Sequence, residues 1–310
     1  MRKVKIYIYE HALEEIYTRD GYPNCIPFCR PGVERWCELV GPEDAELFYG
    51  GQYNKATRWL LHPNRFQFFK GNEARHVFDL EGDHSFEIPD LVQPCILSAM
   101  NALLTHRSGW NVMVRPACSR FLMALIRRGK GVTYVPPQKT GYFFKGQRDP
   151  HGLREKVKEA LEVSGVPYRW EWTEGWNAQT SADQPVVQSY EAGLLEWSWP
   201  LCPGGTANMM TVRFYEACGL GRMPFAISYN DWCGMDDTTD ATVPMEWASP
   251  TKSLDELADW LRLCFERYSP AYEQERFNRQ VRRYFEDCIM HYFADPTRYL
   301  LDWAARRGLF

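Results

Sequence analysis

Thr211, Arg213 and Glu216 are spaced as a nucleotide site would need them. An arginine offers a planar fork of donors to a phosphate. A carboxylate three residues on, on a neighbouring part of a helix surface, can accept hydrogen bonds from two ribose hydroxyls. Directly upstream stand Cys202, Pro203, Gly204, Gly205 and Thr206, a glycine loop that ends an apolar run. A strand that turns through glycines into a helix presents backbone N–H groups, and the positive end of the helix dipole, to an anion. The segment from Leu201 to Ser228 reads as strand, glycine loop, a helix over 207–221 stopped by Gly221, and a buried strand at 223–228. Arg213 and Glu216 alone would be an ordinary helix-surface pair; the glycine loop in front of them gives the spacing its chemical meaning.

A second cation and glycine lie at Lys145 and Gly146, at the end of the apolar run 141–146. A glycine at a strand's carboxyl edge admits a ligand close to the backbone, and a lysine there could neutralise a diphosphate leaving group. Transfer from such a diphosphate to a hydroxyl would also need a group that takes the proton of the attacking hydroxyl. The loop 79–87 follows an apolar strand and carries Asp79, Asp83 and His84, with Asp83 or His84 the favoured proton acceptor and His11 the next choice. A polar turn around Gly82 would explain the same loop without chemistry.

The order of these pieces resembles the exostosin-like glycosyltransferase family. Its C-terminal half has a C-P-x-G run, a few small residues, a Ser/Thr-x-Arg-x-x-Glu-Ala helix, a glycine and an x-Pro-hydrophobic strand. Here these are Cys202 to Gly205, Thr211 to Ala217, Gly221, and Met223-Pro224-Phe225. Weaker echoes are the opening strand at 4–10, the acidic-Ala-x-Leu-Phe entry within 41–53, the strand and loop at 73–83, and the F-x-G loop with an Arg-bearing helix at 140–161. The resemblance covers roughly residues 4 to 265. The family usually carries Arg before the second glycine, where this chain has Gly204, so the task of that Arg is vacant or moved.

The resemblance implies two Rossmann-like domains facing across a cleft, the GT-B arrangement. It also implies a hexosyl- or pentosyltransferase that moves a monosaccharide from a nucleoside-diphosphate sugar, a UDP-sugar favoured, to a hydroxyl of a glycan or glycoconjugate, with inversion. The donor would be held by Gly204, Gly205, Thr206, Thr211, Arg213, Glu216, Lys145 and Gly146. No D-x-D metal motif stands out, and no metal or other cofactor is expected, because cations and amides would carry the leaving diphosphate. The alternative is a non-catalytic nucleotide- or carbohydrate-binding protein on the same fold. A dinucleotide-dependent oxidoreductase would want G-x-G-x-x-G after the first strand, and residues 9–20 contain no glycine.

The elements that must position these residues alternate. Strand-like runs fall at 4–9, 45–50, 75–80, 132–135, 141–146, 167–173, 195–202 and 223–228. Helical patterns separate many of them, notably 152–165 with Gly165 as a stop and 253–268 opened by a Ser253/Glu256 capping box. Strands alternating with helices predict α/β layers with parallel sheets. The paired prolines at 136–137 predict a domain boundary, giving domains at 1–136 and 137–270 and terminal helices at 271–310 that can cross back to the first domain.

Bulk properties narrow the partners. The 310 residues carry a net charge of −4, which disfavours a broad basic face and nucleic acid as a charge-driven partner. No run approaches the ~20 apolar residues of a membrane span, and the N-terminus enters a strand directly, so a cytoplasmic enzyme is expected. Three of the ten cysteines cluster at 25, 29 and 37 without the tight C-x-x-C pairing of a zinc site, and they read as free thiols.

Overall fold

The computed structural model describes residues 2–18, 27–53, 66–80, 93–99, 111–116, 118–128, 132–175, 180–204, 211–227, 246–267 and 269–310. They fall into two compact units, residues 1–115 with 291–310, and residues 116–290. Each unit is an α/β layer structure built on a parallel sheet.

Unit 1 begins with β1 (Val4–Ile8), whose Val4, Ile6 and Ile8 are buried while Lys5 and Tyr7 are half-buried, the period-2 pattern of a strand. Helices α1 (Glu10–Thr18) and α2 (Arg30–Trp36) follow, then β2 (Cys37–Leu39), β3 (Leu47–Tyr53), β4 (His76–Leu80), β5 (Ile96–Ala99) and β6 (Asn111–Val114). The sheet order is β2-β1-β3-β4-β5-β6, and every pairing is parallel. All five residues of β4 are buried, as expected for a central parallel strand covered on both faces.

Unit 2 contains α3 (Arg120–Arg127), β7 (Lys139–Gly146), α4 (Leu153–Ser164), β8 (Tyr168–Trp172), α5 (Pro185–Glu196), β9 (Trp197–Pro203), α6 (Val212–Gly219), β10 (Phe225–Ile227), β11 (Glu246–Ala248), α7 (Leu254–Arg267) and α8 (Pro270–Arg276). Its sheet runs β11-β10-β9-β7-β8, again all parallel. Helix α4 ends at Gly165, which takes a left-handed φ of 70°, a conformation glycine adopts without penalty. Helix α7 opens with the expected reciprocal cap: Ser253 N donates to Glu256 Oε2 at 2.7 Å and Glu256 N to Ser253 Oγ at 3.2 Å. After α8 the helix widens into π turns at Phe277–Val281 and Tyr284–Met290, which bury Phe277, Val281, Phe285, Cys288 and Ile289.

The chain then returns to unit 1 through α9 (His291–Ala294) and α10 (Pro296–Arg306). Thr297 Oγ1 donates to Pro27 O and Trp36 Nε1 to Asp295 Oδ2, each at 2.6 Å. Gly32 on α2 makes this approach possible, since a Cβ there would lie 1.9 Å from Thr297 Oγ1.

Two expectations are corrected. The units divide between Arg115 and Pro116, not at 136/137. The prolines at 136–137 lie inside unit 2, where the buried Arg222 donates to the carbonyl of Val135 and to those of Leu194 and Leu195, fixing this connector to the end of α5. Residues 132–135 are also not a strand but a connector with buried Val132 and Tyr134. Among the described residues no helix is long and apolar enough to cross a membrane.

Candidate functional site

In a parallel α/β sheet, ligands settle outside the carboxyl ends of strands, where the strand order reverses. In unit 2 that place is between β7 and β9, because the chain goes from β7 to β8 on one side and returns to β9 on the other. Gly146 ends β7, Pro203 ends β9, and α6 starts after β9. The chain's own topology therefore gathers Lys145, Gly146, Gly204, Thr211 and Arg213 at one sheet edge. Gly205 and Thr206 lie outside the described residues.

Helix α6 starts later than its pattern suggests. Thr211 is the residue before its first turn, with φ −75° and ψ 155°, and Arg213 is the second helical residue. The Thr211 hydroxyl makes no cap, and its oxygen is buried with no hydrogen-bond partner. A buried hydroxyl without a partner is costly, so its position at a helix start marks a place where a polar ligand would restore a bond. The helix closes as a Schellman motif: Arg222 N donates to Ala217 O at 2.9 Å and Gly221 N to Cys218 O at 3.1 Å. Gly221 has φ 77°, and a Cβ there would meet Thr133 O at 2.1 Å.

Arg213 reaches across the end of β7. Its Nε donates to Lys145 O at 2.9 Å, and its guanidinium carbon stands 5.0 Å from the centre of the Phe144 ring. Only a glycine leaves that path open, since a Cβ on Gly146 would lie 2.0 Å from a guanidinium nitrogen of Arg213. Trp170 of β8 stacks on Phe144 with centroids 4.0 Å apart. Arg154 of α4 also stands by this ring, 5.8 Å from its centre. The helix it belongs to is the Arg-bearing helix of the family resemblance, but spacing alone did not distinguish Arg154 from its neighbours.

Two of the expected donor residues have other work. Lys145 is buried, with Nζ 2.9 Å from Glu171 Oε2 and donating to Ser189 Oγ at 2.6 Å. Its charge is already matched inside the unit. Glu216 is 1% exposed. Ser119 Oγ donates to its Oε1, and Tyr190 OH to its Oε2 at 3.0 Å. Ser119 also caps α3, accepting from Leu122 N at 2.9 Å. Burial pushes the Glu216 carboxyl above its ordinary range, against the pull of Ser119, Arg213 and Tyr190. Glu216 thus ties α3, α5 and α6 together and does not present a carboxylate to a ribose. The reason is that α6 is buried nearly all round, Phe214, Tyr215, Ala217 and Cys218 included, so the helix has no ligand-facing surface at its middle.

In unit 1 the strand order reverses between β1 and β3. The residues there are aromatic. His11 Nε2 lies 3.0 Å from Gly50 O; a carbonyl only accepts, so Nε2 carries a proton. Tyr9 and Phe66 pack against the His11 ring. Behind them His76 donates from Nδ1 to Asn72 O at 2.8 Å and accepts from Tyr9 OH at 3.0 Å. Burial lowers the His76 pKa to about 4, so it stays neutral.

Asp79, one of the expected proton acceptors, sits on β4 beyond this point. It is fully buried and paired with Arg115 at 3.1 Å. An enclosed, paired carboxylate holds the ends of β4 and β6 together and is out of reach of an acceptor hydroxyl. Asp83 and His84 lie outside the described residues. Among those described, no group of three or more His, Cys, Asp or Glu side chains could hold a metal. The described cysteines form no disulfide.

No family model matches the chain, and no curated protein matches it. Among solved structures it is similar to T4 phage BGT in complex with UDP and Mn2+, over 99% of each chain, at 9% identity and a TM-score of 0.34. UDP and manganese are ligands of that protein, and a likeness this loose bears on no residue of the present site. The exostosin-like resemblance therefore rests on the motifs.

Proposed function

We propose that this chain is a glycosyltransferase that uses a nucleoside-diphosphate sugar, a UDP-sugar favoured, and transfers the monosaccharide to a hydroxyl of a glycan or glycoconjugate with inversion. The observation that carries the reading is Arg213 lying over Gly146 at the carboxyl edge of β7, beside the unpartnered hydroxyl of Thr211 at a helix start. Together these supply a fixed cation, a helix dipole and an unmet hydrogen bond at the point where a parallel sheet receives ligands.

In this reading Arg213 takes charge that builds on the leaving diphosphate, which is preorganised electrostatic stabilisation without a metal. Glu216 positions α6, and hence Arg213, through Ser119 and Tyr190. The proton acceptor belongs to unit 1, at Asp83, His84 or His11. His11 has the advantage of standing at the strand-order reversal, with its ring held by the bond from Nε2 to Gly50 O.

The test is a panel of UDP-, GDP- and CMP-sugars, read first by thermal shift and then by hydrolysis or transfer. A ligand of the folded state raises apparent stability by mass action. Binding and turnover of one of them, retained in excess EDTA, is the expected result. Activity lost in EDTA and restored by manganese would overturn the metal-free mechanism. The second reading, a non-catalytic binder, is favoured by the enclosure of Glu216 and Asp79. Sugar-nucleotide binding with no hydrolysis, and no transfer to any hydroxyl acceptor, would select it.

A further inference from the structure

Strand β8 lies at the end of the unit 2 sheet, and among the described residues no strand pairs with its outer side. It is the longest of the four edge strands: β8 has five residues, β6 four, and β2 and β11 three each. An open edge of this length is a template for another strand. Tyr142 N donates to Pro167 O at 3.0 Å, and Thr173 N to Gly146 O at 3.0 Å. Backbone groups alternate along a parallel ladder, so Arg169 and Glu171 turn theirs toward β7. Tyr168, Trp170 and Trp172 turn theirs toward the open edge.

The side chains alternate too. Tyr168, Trp170 and Trp172 share one face of the sheet, where Trp170 stacks on Phe144 and meets Trp172 with ring centres 5.3 Å apart. Arg169 and Glu171 share the other face. They pair with each other, and Arg169 also reaches Glu196 at 3.0 Å, yet their side chains stay 42% and 28% exposed. Along the strand the order is aromatic, positive, aromatic, negative, aromatic. Reversed about Trp170, that order becomes its own charge complement.

We propose that this edge pairs with β8 of a second copy of the chain, antiparallel and centred on Trp170, so that two five-stranded sheets join into one. In that register Trp170 faces Trp170, Tyr168 faces Trp172, and Arg169 faces Glu171 of the other copy. The outward backbones of Tyr168, Trp170 and Trp172 exchange N–H and C=O in hydrogen-bonded pairs. Arg169 and Glu171 then fall at the closer, non-hydrogen-bonded positions, where opposite charges directly across from each other are favourable. The contact is isologous: a two-fold axis through the Trp170 pair closes the assembly at two chains. Other registers are disfavoured by the same charges. A parallel pairing in register sets Arg169 against Arg169 and Glu171 against Glu171. Sliding the antiparallel register by two residues either way sets one of them against itself.

The test uses the full chain. Sedimentation of the wild type should show a dimer that dissociates on dilution. Arg169→Glu sets two acids against each other at each contact, and Glu171→Arg two bases, so each should weaken self-association at least about tenfold. An equal mixture of the two variants restores both attractions and should recover the dimer. Glu171 also holds Lys145, so a further variant serves where that charge swap does not fold. Tyr168→Pro withdraws an N–H that faces only the open edge, a place where proline is tolerated, and it too should leave a monomer. In the wild type, amide exchange at Trp170 should slow as protein concentration rises. Four results would each overturn the proposal: a wild type that stays monomeric, an Arg169→Glu or Tyr168→Pro variant that keeps the wild-type dimer, two monomeric charge variants whose mixture stays monomeric, or a Trp170 amide that exchanges at one rate at every concentration.

Discussion

The two sheets reverse their strand order in the same way, yet the residues at the two reversals are opposites. In unit 2 the edge between β7 and β9 gathers fixed positive charge, with an unmet hydroxyl at Thr211 and an unmet N–H at Arg154. In unit 1 the edge between β1 and β3 gathers Tyr9, His11 and Phe66, backed by a neutral His76. Topology leaves the same kind of edge in each unit, and side chains decide its chemistry. The first concentrates charged side chains. The second concentrates aromatic rings and a histidine.

Both units also enclose charge. Unit 1 encloses the ion pair of Asp79 and Arg115. Unit 2 encloses Arg154, Glu216, Arg222 and Glu273, and in each unit single atoms of these groups, Arg115 Nε as well as Arg154 Nε and Glu273 Oε1, make no hydrogen bond. Enclosed polar atoms without partners are expensive, and a fold that keeps them does so where a ligand or a proton supplies the missing interaction.

The sharpest way to break the comparison is at the proton. If unit 1 supplies the base, His11→Ala should cut transfer by ~10²–10⁴-fold while donor affinity is unchanged, the usual range of general-base assistance. Asp79→Asn should behave differently: it leaves Arg115 enclosed without its charge, and the loss should appear in melting temperature. The measurement is transfer rate and donor affinity for His11→Ala, Asp83→Asn, His84→Ala and Asp79→Asn together. Wild-type transfer in the first three would remove the catalytic role from unit 1.

A smaller effect is expected at Gly146. Gly146→Ala places a methyl where the Arg213 guanidinium lies, so Arg213 must move. Arg213→Ala removes it. Both should lower kcat/KM for the donor by ~10²–10³-fold, the usual loss on removing one preorganised donor. Gly146→Ala with full activity would show that the crossing of β7 by Arg213 is not used.

Much of this edge was legible in the sequence, and the reasons differ by residue. The glycine loop, Arg213 and Gly146 carry local signals: backbone freedom, a fixed spacing, a strand end. The helix stop at Gly221 and the Ser253/Glu256 cap are short-range too, and they hold. Glu216 was misjudged because its spacing from Arg213 suggested a free helix face, whereas partners on α3 and α5, far away in sequence, enclose it. Arg154 was passed over because nothing local separates an arginine at a helix start from a solvated one; what sets it apart is its enclosure beside Phe144. The strands β2, β5 and β11 are three or four residues long, too short for a period of two to show. The boundary at 136/137 was placed on prolines, which stiffen a chain whether or not a domain ends there.

The enclosed carboxylate of α6 offers a finer test of whether unit 2 recognises ribose or only phosphate through this helix. Glu216→Gln removes the charge and keeps the shape. If Glu216 only positions α6, affinity for UDP and for pyrophosphate should fall together, by about fivefold for one weakened hydrogen bond. A loss confined to UDP would restore the ribose role.

The smallest effect concerns Glu273, and it tests whether unit 2 keeps enclosed charge at a cost away from the ligand edge. Glu273 lies on α8, is 1% exposed, and accepts from Tyr134 OH at 3.4 Å, while its Oε1 has no hydrogen bond. Arg222, on the turn after α6, acts on it favourably, as do Tyr134 and Trp199, but burial outweighs all three and raises its pKa to about 7. The sign follows from proton binding. Between the ordinary carboxylate value and about 7, the folded chain holds a proton that the unfolded chain releases, so stability falls as pH rises through that window. Glu273→Gln cannot release the proton. Its melting temperature should therefore match the wild type near pH 4.5, exceed it by a few degrees at pH 8, and show a flatter profile in between. Parallel pH profiles for the two proteins would mean that Glu273 is charged in the folded state at every pH, held by Arg222, and that unit 2 matches its buried charges as unit 1 does.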